Sequence, residues 1–350
     1  RDLPLKINQW ANIVRWERRT RPFLRTLEFL WQEGHTVHET EKEALKEVLE
    51  ALEMYRAFAK EVLALETLTG RKSESEKFAG AVDTYGVEAM MQDGKSLQFG
   101  TSHNLGQNFA KVFGIQYTDK NGELAYPWQT SWGVSTRMIG AIVMSHSDDK
   151  GLVLPPKVAP IKVVIIPIYK DNDKEKVLKH SRGIYEKLSK SIEEIEFDNR
   201  DYVSPGYKFN EWEKKGVPVR VEVGSRDIES ESAIIVRRDT VEKVSIPLVD
   251  IEKTVQNLLT NIQENLLKRS KELLISMSYR ARDYEDFKQA TGGAAVLEAD
   301  PGRGNPECEE KIKKETKATT RCQTPEGMKS TGKCIYCNKE GNEWVFGISY

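Results

Sequence analysis

The chain has 350 residues, of which 39% are hydrophobic and 31% are charged, and its formal net charge is −1. This balance is typical of globular domains and excludes an intrinsically disordered chain, while the length predicts two or three domains. The small net charge excludes a basic field over the whole molecule, so any contact with nucleic acid must come from local patches. The first residues lack the charged-then-apolar pattern of a signal peptide, so a cytoplasmic location is expected.

The first part of the chain is predicted to form a hairpin and a long helix. Residues 13–17 and 23–28 carry strand-like apolar positions on either side of a charged loop. Apolar residues then recur at helical spacing over residues 38–68, and Gly70 is the predicted end of this helix. Strands are also predicted further along, at residues 96–100 and at 133–144, where a helix follows.

A domain boundary is predicted at residues 154–160, where three prolines disfavour both helix and strand pairing. Alternating strand and helix patterns then predict a small α/β unit, with segments at 163–168, 174–190, 219–224 and 233–237. A helical pattern follows at 248–277, and the charged run 309–317 predicts a solvated helix face. The predicted domains are therefore 1–154, 155–247 and 248–350.

Two charged segments frame the loop of the predicted hairpin, Arg-Trp-Glu at 15–17 and Phe-Leu-Arg-Thr-Leu-Glu-Phe at 23–29. An arginine is always charged and can bind a phosphate or a carboxylate with two parallel hydrogen bonds. Single arginines of this kind are more often solvated surface residues. The whole segment, however, resembles motif two of the class II tRNA synthetases, which is a strand followed by a return strand.

The following Trp-Gln-Glu-Gly-His-Thr at 31–36 narrows the resemblance to the prolyl-tRNA synthetase family. In such enzymes a substrate carboxylate attacks the α-phosphate of ATP, so two anions have to be brought together. The resemblance implies that Arg15 bridges the α-phosphate and the substrate carboxylate. It also implies nucleotide contacts by three neighbouring residues, Glu17, Arg25 and Thr26.

A pocket for proline needs aromatic or apolar walls and an anion for the ring nitrogen, and Trp31, Glu33 and Phe78 have these properties. Aromatic residues alone are more often core residues, so this assignment depends on the resemblance. The Lys-Phe-Ala-Gly segment at 77–80 is a further element that matches the family.

Residues 98–109 also match a family element, Gln-Phe-Gly-Thr-Ser-His-Asn-Leu-Gly-Gln-Asn-Phe. This match implies that Gln98 and Thr101 contact ATP, with Gln98 close to a magnesium ion. It further implies that His103 lines the proline site. A lone histidine is usually a structural residue, so we assign His103 to positioning rather than to acid–base chemistry.

Residues 132–140 resemble motif three, a strand and helix whose arginine holds the γ-phosphate of the nucleotide. Arg137 occupies that position, and Ser135 matches a position that contacts the nucleotide. Three preceding residues would border the proline pocket, namely Ser131, Trp132 and Gly133.

The second predicted domain resembles the anticodon-binding domain of the family at 211–220, 223–227 and 236–240. Single-stranded bases are read by hydrogen bonds to their edges and by stacking, while basic side chains contact phosphates. The candidate residues by position are Glu213, Arg220 and Lys243. Charged residues on strands and loops are more often solvated, and this alternative stays open.

All four cysteines lie near the end of the chain, which in a cytoplasmic protein favours a metal site over disulfides. Cys334 and Cys337 form a Cys-x-x-Cys turn of the zinc-ribbon type, and Cys308 supplies a third thiolate. The usual cysteine upstream of Cys308 is replaced near Arg303, which leaves Cys322 as the candidate fourth ligand. A structural zinc is favoured over free thiols and over redox chemistry.

The C-terminal module resembles the archaeal and eukaryotic form of the family, in which the final tyrosine, here Tyr350, returns toward the catalytic domain. The implied fold is multidomain, with an antiparallel-sheet class II catalytic domain, an α/β anticodon-binding domain and a small α+β zinc-type domain. Residue 1 is expected to lie just upstream of motif two, so the sequence is expected to lack the family's motif one.

The resemblance implies a homodimeric ligase that uses ATP with magnesium to make prolyl-adenylate and then transfers proline to tRNA(Pro). Two alternatives stay open, a noncatalytic tRNA-binding or regulatory protein derived from a synthetase and a synthetase for another amino acid. Binding of ATP and proline would distinguish the ligase from the noncatalytic alternative, because a noncatalytic binding module does not need to keep phosphate-binding arginines.

Overall fold

The computed structural model describes residues 3–290, 294–299, 305–330 and 332–350. Two compact units are present in it. The first contains Arg1–Lys60, Glu66–Ala141 and Lys271–Tyr350, and the second contains Glu61–Leu65 and Ile142–Ser270. Among the helices of the described residues, none is long and apolar enough to cross a membrane.

The first unit is built on a six-stranded antiparallel sheet. The elements of this part of the chain are β1 Leu5–Val14, β2 Glu28–His38, α1 Glu41–Glu61, β3 Thr67–Arg71, β4 Asp83–Met90, β5 Ser96–Gly106, α2 Asn108–Phe113, β6 Tyr117–Thr118, β7 Leu124–Ala125, β8 Trp128–Ser135 and α3 Arg137–His146. The order in the sheet is β1-β2-β8-β5-β4-β3, whereas β6 and β7 pair separately.

Helix α1 covers one face of this sheet with its apolar stripe, which includes Ala44, Val48 and Tyr55. The Tyr55 hydroxyl donates to Gln32 Oε1 of β2 at 2.6 Å. On β5, Ser102 Oγ donates to the carbonyl of Val48 at 2.8 Å. The helix therefore closes this face, and the opposite face of the central strands is left open to ligands.

The second unit contains a five-stranded sheet. Its elements are β9 Val163–Ile168, α4 Lys174–Leu188, β10 Ile195–Phe197, α5 Pro205–Lys214, β11 Val219–Gly224, α6 Ser225–Glu229, β12 Ser232–Arg237 and β13 Lys243–Pro247. The order is β10-β9-β11-β12-β13, with parallel pairing among the first three strands and antiparallel pairing beyond them. Strand β9 is buried on both faces, and this explains its nearly continuous apolar sequence.

The last part of the chain forms a C-terminal module with a sheet of its own. Helix α7 Ile251–Ser276 precedes this module and lies mostly in the second unit, which ends at Ser270. The elements of the module are β14 Ser278–Arg280, α8 Tyr284–Ala290, β15 Ala294–Ala299, α9 Pro306–Thr316, β16 Thr319–Cys322, a 3-10 helix Gly327–Lys329, β17 Gly332–Lys333 and β18 Glu340–Gly347. The sheet order is β14-β15-β18-β16, with β17 also paired to β18. Two bridges connect this module to the first sheet, Arg71 with Gln323 and Ser96 with Ser349.

The predicted fold class is confirmed, and several elements were predicted closely. The strands at 163–168 and 219–224 have the predicted bounds, and the helices predicted over 174–190 and 248–277 are found as α4 and α7. The strand and helix predicted over 133–144 are found as β8 and α3. The strand at 163–168 is a continuous apolar run, the strand at 219–224 alternates valine with other residues, and α4 and α7 are periodic helices, so each local pattern is clear.

The predicted hairpin exists, but its strands are displaced from the predicted segments. Strands β1 and β2 pair from Leu5 with Val37 to Val14 with Glu28, so most of 13–17 and 23–28 lies in the loop between them. This loop contains Pro22, which has no N–H to donate to a ladder. The motif-two arginines lie outside the two long strands, where the N–H of Arg15 donates to the carbonyl of Leu27 at 2.8 Å and Arg25 forms an isolated antiparallel bridge with Arg21.

The helix predicted over 38–68 is too long, and the role predicted for Gly70 is wrong. Helix α1 ends at Glu61, and Gly70 lies inside β3. A Cβ at position 70 would overlap the backbone carbonyl of Gln323 in the C-terminal module. The glycine is therefore required by a close approach of two chain segments that are far apart in sequence.

The charged run 309–317 is only partly the solvated helix face that was predicted. It lies mostly in α9, where Glu310 is exposed but Glu309 is buried, with 7% relative exposure. The carboxylate of Glu309 accepts hydrogen bonds from hydroxyl groups and is not surrounded by water. A contact made by tertiary structure has overridden the local pattern.

Candidate active site

An open cavity of about 660 Å³ lies over strands β2, β5 and β8 of the first unit. Most residues that the sequence assigned to ATP or proline line it, namely Arg15, Trp31, Glu33, Phe78, Gln98, Thr101, His103, Ser131, Trp132, Gly133, Ser135 and Arg137. The strand pairing explains this convergence, because Glu33 lies opposite Gly133 and His103 lies opposite Ser131.

Alternation along β2 decides which of its side chains reach the cavity. Trp31, Glu33 and His35 line the cavity, whereas the intervening Gln32 and Thr36 are buried. His35 was not assigned to the site from the sequence. The period of two along residues 31–36 would have identified it, because it shares a face with Trp31 and Glu33.

A bulge in β5 brings Gln98 and Thr101 to the same side of the sheet. Side chains three residues apart on a regular strand point to opposite faces. Here the pairing with β4 shifts between Val87 and Glu88, which inserts one extra residue into β5. Both predicted ATP residues therefore line the cavity.

Arg15 lies just after β1 with its charge available. Its guanidinium carbon is 5.3 Å from the ring centroids of both Phe29 and Trp31, which is cation–π geometry. The nearby Glu17 pairs with Arg25 instead, at 3.7 Å. Among the described residues no carboxylate forms an ion pair with Arg15, so its fork is oriented by aromatic rings and open to an external anion.

Arg137 is anchored by backbone groups at the start of α3. Its Nε donates to the carbonyl of Leu24 and its Nη1 to the carbonyl of Gln98, each at 2.9 Å. Burial, followed by the charges of Arg25 and Arg15, lowers the pKa of Arg137. The three arginines therefore create a positive region that an anion would stabilise.

Glu33 supplies a negative charge on the opposite side of the cavity. Its Oε2 accepts from Gln9 Nε2 at 3.0 Å and lies 3.2 Å from His35 Nε2. The indole Nε1 of Trp31 is buried and has no hydrogen-bond partner among the described residues. The carboxylate, the histidine and the indole provide polar groups beside apolar walls, as small-ligand sites generally do.

Phe78 and His103 form an aromatic wall. Their ring centroids are 4.9 Å apart, and Thr84 Oγ1 lies 2.9 Å from His103 Nδ1. The backbone N–H of Phe78 donates to the same Thr84 oxygen at 3.0 Å. Burial, together with the nearby His35, lowers the pKa of His103 to about 4, so the ring is neutral at pH 7. A neutral ring fits a positioning role.

Trp132 contributes to the cavity lining, but its ring serves mainly to pack beneath it. Trp132 pairs with Gly34 across β2 and β8, and a Cβ at Gly34 would overlap the Trp132 ring. The ring centroid is 6.3 Å from that of Tyr55 in α1. The indole thus occupies the helix-covered face of the sheet, and Gly34 is the residue that makes room for it.

Three predicted nucleotide residues, Glu17, Arg25 and Thr26, are not among the residues that line the cavity. Arg25 Nη2 donates to the main-chain oxygen of Tyr350 at 3.1 Å. The Tyr350 ring lies 5.6 Å from the guanidinium carbon of Arg21 and 5.0 Å from Lys95 Nζ. The predicted return of the final tyrosine to the catalytic unit is thus observed.

In the second unit, the predicted anticodon residues form one charge network. Arg220 Nη1 lies 3.0 Å from Glu213 Oε1, and its Nε lies 3.0 Å from Glu222 Oε1. Lys243 pairs with the other oxygen of Glu222. The network links α5, β11 and β13 and brings all three predicted residues together. Glu222 was not predicted, although it alternates with Arg220 on the same strand.

Three of the four cysteines form a cluster. The Sγ atoms of Cys308, Cys334 and Cys337 all lie within 4.8 Å of one another. Burial raises the pKa of the Cys308 thiol to about 12. Three thiols at this separation fit three of the four positions of a tetrahedral structural zinc.

The fourth ligand predicted from the sequence is not in this cluster. Cys322, at the end of β16, is buried among apolar residues that include Met90, Leu274 and Val345. Strand pairing with β18 holds it there. Arg303, which was named as the replacement for the usual ligand, lies outside the described residues. The assignment of Cys322 to the metal site is therefore corrected.

Comparison with protein families first defines the class. Residues 1–146 match the tRNA synthetase class II core domain (G, H, P, S and T), and residues 162–258 match an anticodon binding domain. Residues 284–350 match the C-terminal domain of prolyl-tRNA synthetase. The cavity described above lies within the first of these matches, so the sheet and its arginines are those of a class II synthetase core.

Curated relatives then narrow the class to one family. The chain is 49% identical over 352 residues to the proline–tRNA ligase of Alkaliphilus oremlandii, covering 99% of the chain and 72% of the relative. It is 50% identical over 358 residues to that of Bacteroides fragilis, covering 100% of the chain and 71% of the relative. It is also 49% identical to proline–tRNA ligase 2 of Clostridioides difficile, with 99% and 71% covered. The chain belongs to the prolyl-tRNA synthetase family.

Proposed function

We propose that this chain is a proline–tRNA ligase and that the cavity is where proline and ATP react. The observation that carries the proposal is Arg15, an arginine that is oriented by two aromatic rings and has no carboxylate partner among the residues that the structure describes. Such a group binds two anionic oxygens at once, one from a substrate carboxylate and one from the α-phosphate. Arg137 is anchored on the same cavity, and we propose that it holds the γ-phosphate.

The reaction joins two anions. The carboxylate of proline attacks the α-phosphate, the bond to the leaving pyrophosphate breaks, and prolyl-adenylate results. A hydroxyl of the terminal adenosine of tRNA(Pro) then attacks the carbonyl carbon, and AMP leaves. Arg15 and Arg137 contribute by positioning and by offsetting charge, and no covalent enzyme nucleophile is needed.

ATP enters this reaction with magnesium, which when bound offsets phosphate charge and orients the displacement. The side-chain oxygen of Gln98 is a suitable ligand type for it. Five further residues are proposed to contact the nucleotide, namely Glu17, Arg25, Thr26, Thr101 and Ser135. Because Arg25 donates to Tyr350 in this structure, a nucleotide contact by Arg25 involves exchange of that hydrogen bond.

Proline is proposed to bind between the aromatic wall and Glu33. The secondary ammonium of proline needs a negative partner, and the Glu33 carboxylate provides one next to the polar edge of His35. Phe78 and the neutral His103 enclose the apolar ring of the amino acid. Trp31 and the β8 residues Ser131 and Gly133 complete the pocket, and Trp132 supports it from the helix-covered face of the sheet.

The second unit is proposed to read the anticodon. Glu213, Arg220 and Lys243 form one network through Glu222, and networked side chains are pre-ordered for hydrogen bonds to base edges. Lys243 is the most exposed member, with 55% side-chain exposure, which supports a proposed contact with a phosphate.

Four further assignments belong to this proposal. A structural zinc would be held by Cys308, Cys334 and Cys337. The active form would be a homodimer, as the family resemblance implies. The protein would work in the cytoplasm, and its domains would span 1–154, 155–247 and 248–350.

Proline-dependent exchange of pyrophosphate into ATP tests the proposal, because it reports adenylate formation without tRNA. We expect exchange with proline and not with alanine or histidine, for this chain or for a form extended to the length of its relatives. Loss of exchange in Arg15→Ala would place the chemistry in the cavity. A folded, ATP-binding extended form that gives no proline-dependent exchange would instead favour a noncatalytic RNA-binding role.

A further inference from the structure

The segment between β3 and β4 forms one edge of the cavity, and the C-terminal module holds it. Glu309 of α9 is buried, and its Oε2 accepts from Ser73 Oγ at 2.7 Å and also from Ser75 Oγ. Thr320 of β16 donates to the same oxygen at 3.1 Å. One carboxylate oxygen from the C-terminal module therefore holds two hydroxyls of the catalytic unit, across 236 residues of sequence in the case of Ser73.

A second contact from the module acts on the same segment. Arg321 Nη2 lies 3.6 Å from the carboxylate of Glu76, a residue that itself lines the cavity. Its Nη1 lies 3.5 Å from the fully buried Glu88 of β4. Lys72 also pairs with Glu88, so the start of the segment is fixed to the sheet. Charged groups thus hold the first half of the segment, from Lys72 to Glu76.

The held segment leads directly to the aromatic wall. The N–H of Lys77 donates to the carbonyl of Ser73 at 2.9 Å, which closes a turn on the residue that Glu309 holds. The next residue, Phe78, donates its N–H to Thr84 Oγ1 and stacks on His103. Phe78 is half exposed, and its backbone is fixed where the turn ends, because its N–H donates to Thr84 and its carbonyl accepts from the N–H of Ala81 at 3.0 Å. The turn that begins at Ser73 therefore joins the residues that Glu309 holds directly to the backbone that carries the ring.

We propose that Glu309 is a positioning residue for the proline pocket, which deepens the proposed function and rests on it. Through Ser73 and Ser75, the C-terminal module places Phe78 against His103 and thereby sets the affinity for the amino acid. The alternative is a purely structural role, in which the Glu309 carboxylate only holds the C-terminal module to the catalytic unit. That alternative predicts a loss of stability without any preference between the two substrates.

The test compares the KM for proline with the KM for ATP in pyrophosphate exchange, for Glu309→Ala and for its exposed neighbour Glu310→Ala. Loss of hydrogen bonds to a charged group is expected to raise the KM for proline about tenfold, while the KM for ATP changes less than about twofold. Glu310→Ala should match the parent, because Glu310 is exposed and pairs with Lys314 on the solvated side of α9. Glu309→Gln should largely restore the parent value, since an amide oxygen can still accept the hydroxyls.

A double-mutant cycle with Ser75→Ala tests whether the effect of Glu309→Ala comes from the Glu309–Ser75 contact or from loss of structure elsewhere. If the effect passes through this contact, the double variant is no worse than Glu309→Ala alone. Equal rises in both KM values, additive effects in the cycle, or a lower melting temperature with unchanged KM values would each overturn the inference.

Amide hydrogen exchange supplies a readout that does not depend on activity. In Glu309→Ala, the amides of Lys77 and Phe78 should exchange faster than in the parent, while those in the centre of β5 stay protected. Unchanged exchange at Lys77 and Phe78 would contradict the inference whatever the kinetics show. A parent protein without proline-dependent exchange would refute the proposed function alone and leave this readout to decide the positioning role.

Discussion

Replacing Arg15 by lysine separates charge from geometry at the centre of the cavity. Both side chains are cationic, but only arginine offers a planar fork that can bridge a carboxylate and a phosphate. The fork is held by two rings at 5.3 Å, and the residue is exposed. The substitution therefore alters ligand contacts much more than it alters packing.

The magnitude follows from the contacts that change. An exposed cation–π contact contributes about 0.5–1 kcal/mol, and Arg15 makes two of them, so the free energy of unfolding should fall by no more than about 2 kcal/mol. A charge-assisted hydrogen bond contributes about 1.5–3 kcal/mol, so losing one of two bridging contacts should lower kcat/KM for proline about 10- to 150-fold. Arg15→Ala loses both contacts, and a decrease of about 10²- to 10⁴-fold is expected.

Pyrophosphate exchange measures these values, and urea unfolding followed by fluorescence measures the stability. Arg19→Ala is the matched control, because Arg19 is an exposed arginine of the same loop that does not line the cavity. If Arg15→Lys retains the parent kcat/KM, or if Arg19→Ala loses as much activity, the assignment of the bridging role to Arg15 is wrong.

Three further predictions concern other groups. Glu33→Gln should raise the KM for proline about tenfold and leave the KM for ATP unchanged, because only the amino acid carries an ammonium. Pyrophosphate exchange measures both KM values, and an equal rise in the two would contradict the pairing of Glu33 with the proline ammonium. Burial lowers the pKa of His146 to about 4, so below pH 6.5 the unfolded state binds a proton that the folded state does not bind. The free energy of unfolding should therefore fall by up to about 3 kcal/mol between pH 6.5 and pH 4. In urea titrations His146→Gln should weaken this pH dependence, and an unchanged pH dependence would refute the prediction. Elemental analysis should find about one zinc per chain, lost in Cys308→Ser and kept in Cys322→Ser, whereas retention of zinc in Cys308→Ser would exclude the cluster.

The local sequence pattern was sufficient to predict many of the helices and strands and most of the cavity residues. Strand β9 is apolar on both faces, and the period of α7 extends over many turns, so their bounds could be read from the sequence. The cavity residues were also accessible, because motifs on neighbouring strands place Glu33 opposite Gly133 and His103 opposite Ser131. The β5 bulge could not be predicted from the sequence, because a bulge is defined by the register of a strand against its partner, here β4.

Three of the errors share one physical origin, which is packing within or against the C-terminal module. Gly70 is required by the approach of Gln323, and Glu309 is buried because Ser73 and Ser75 face it. Cys322 follows the strand pairing of β16 and not the metal cluster. Each depends on residues that are more than two hundred positions apart or on tertiary packing, and neither spacing nor periodicity carries that information.

Binding of an unreactive prolyl-adenylate analogue tests the central claim most directly, namely that one cavity holds both proline and ATP. Calorimetry should give one analogue per chain, bound at least about 100-fold more tightly than proline and displaced by either proline or ATP alone. In Arg15→Ala the analogue should bind no more tightly than proline does. Equal or tighter binding of the alanyl or histidyl analogue, or displacement by ATP but not by proline, would contradict the account.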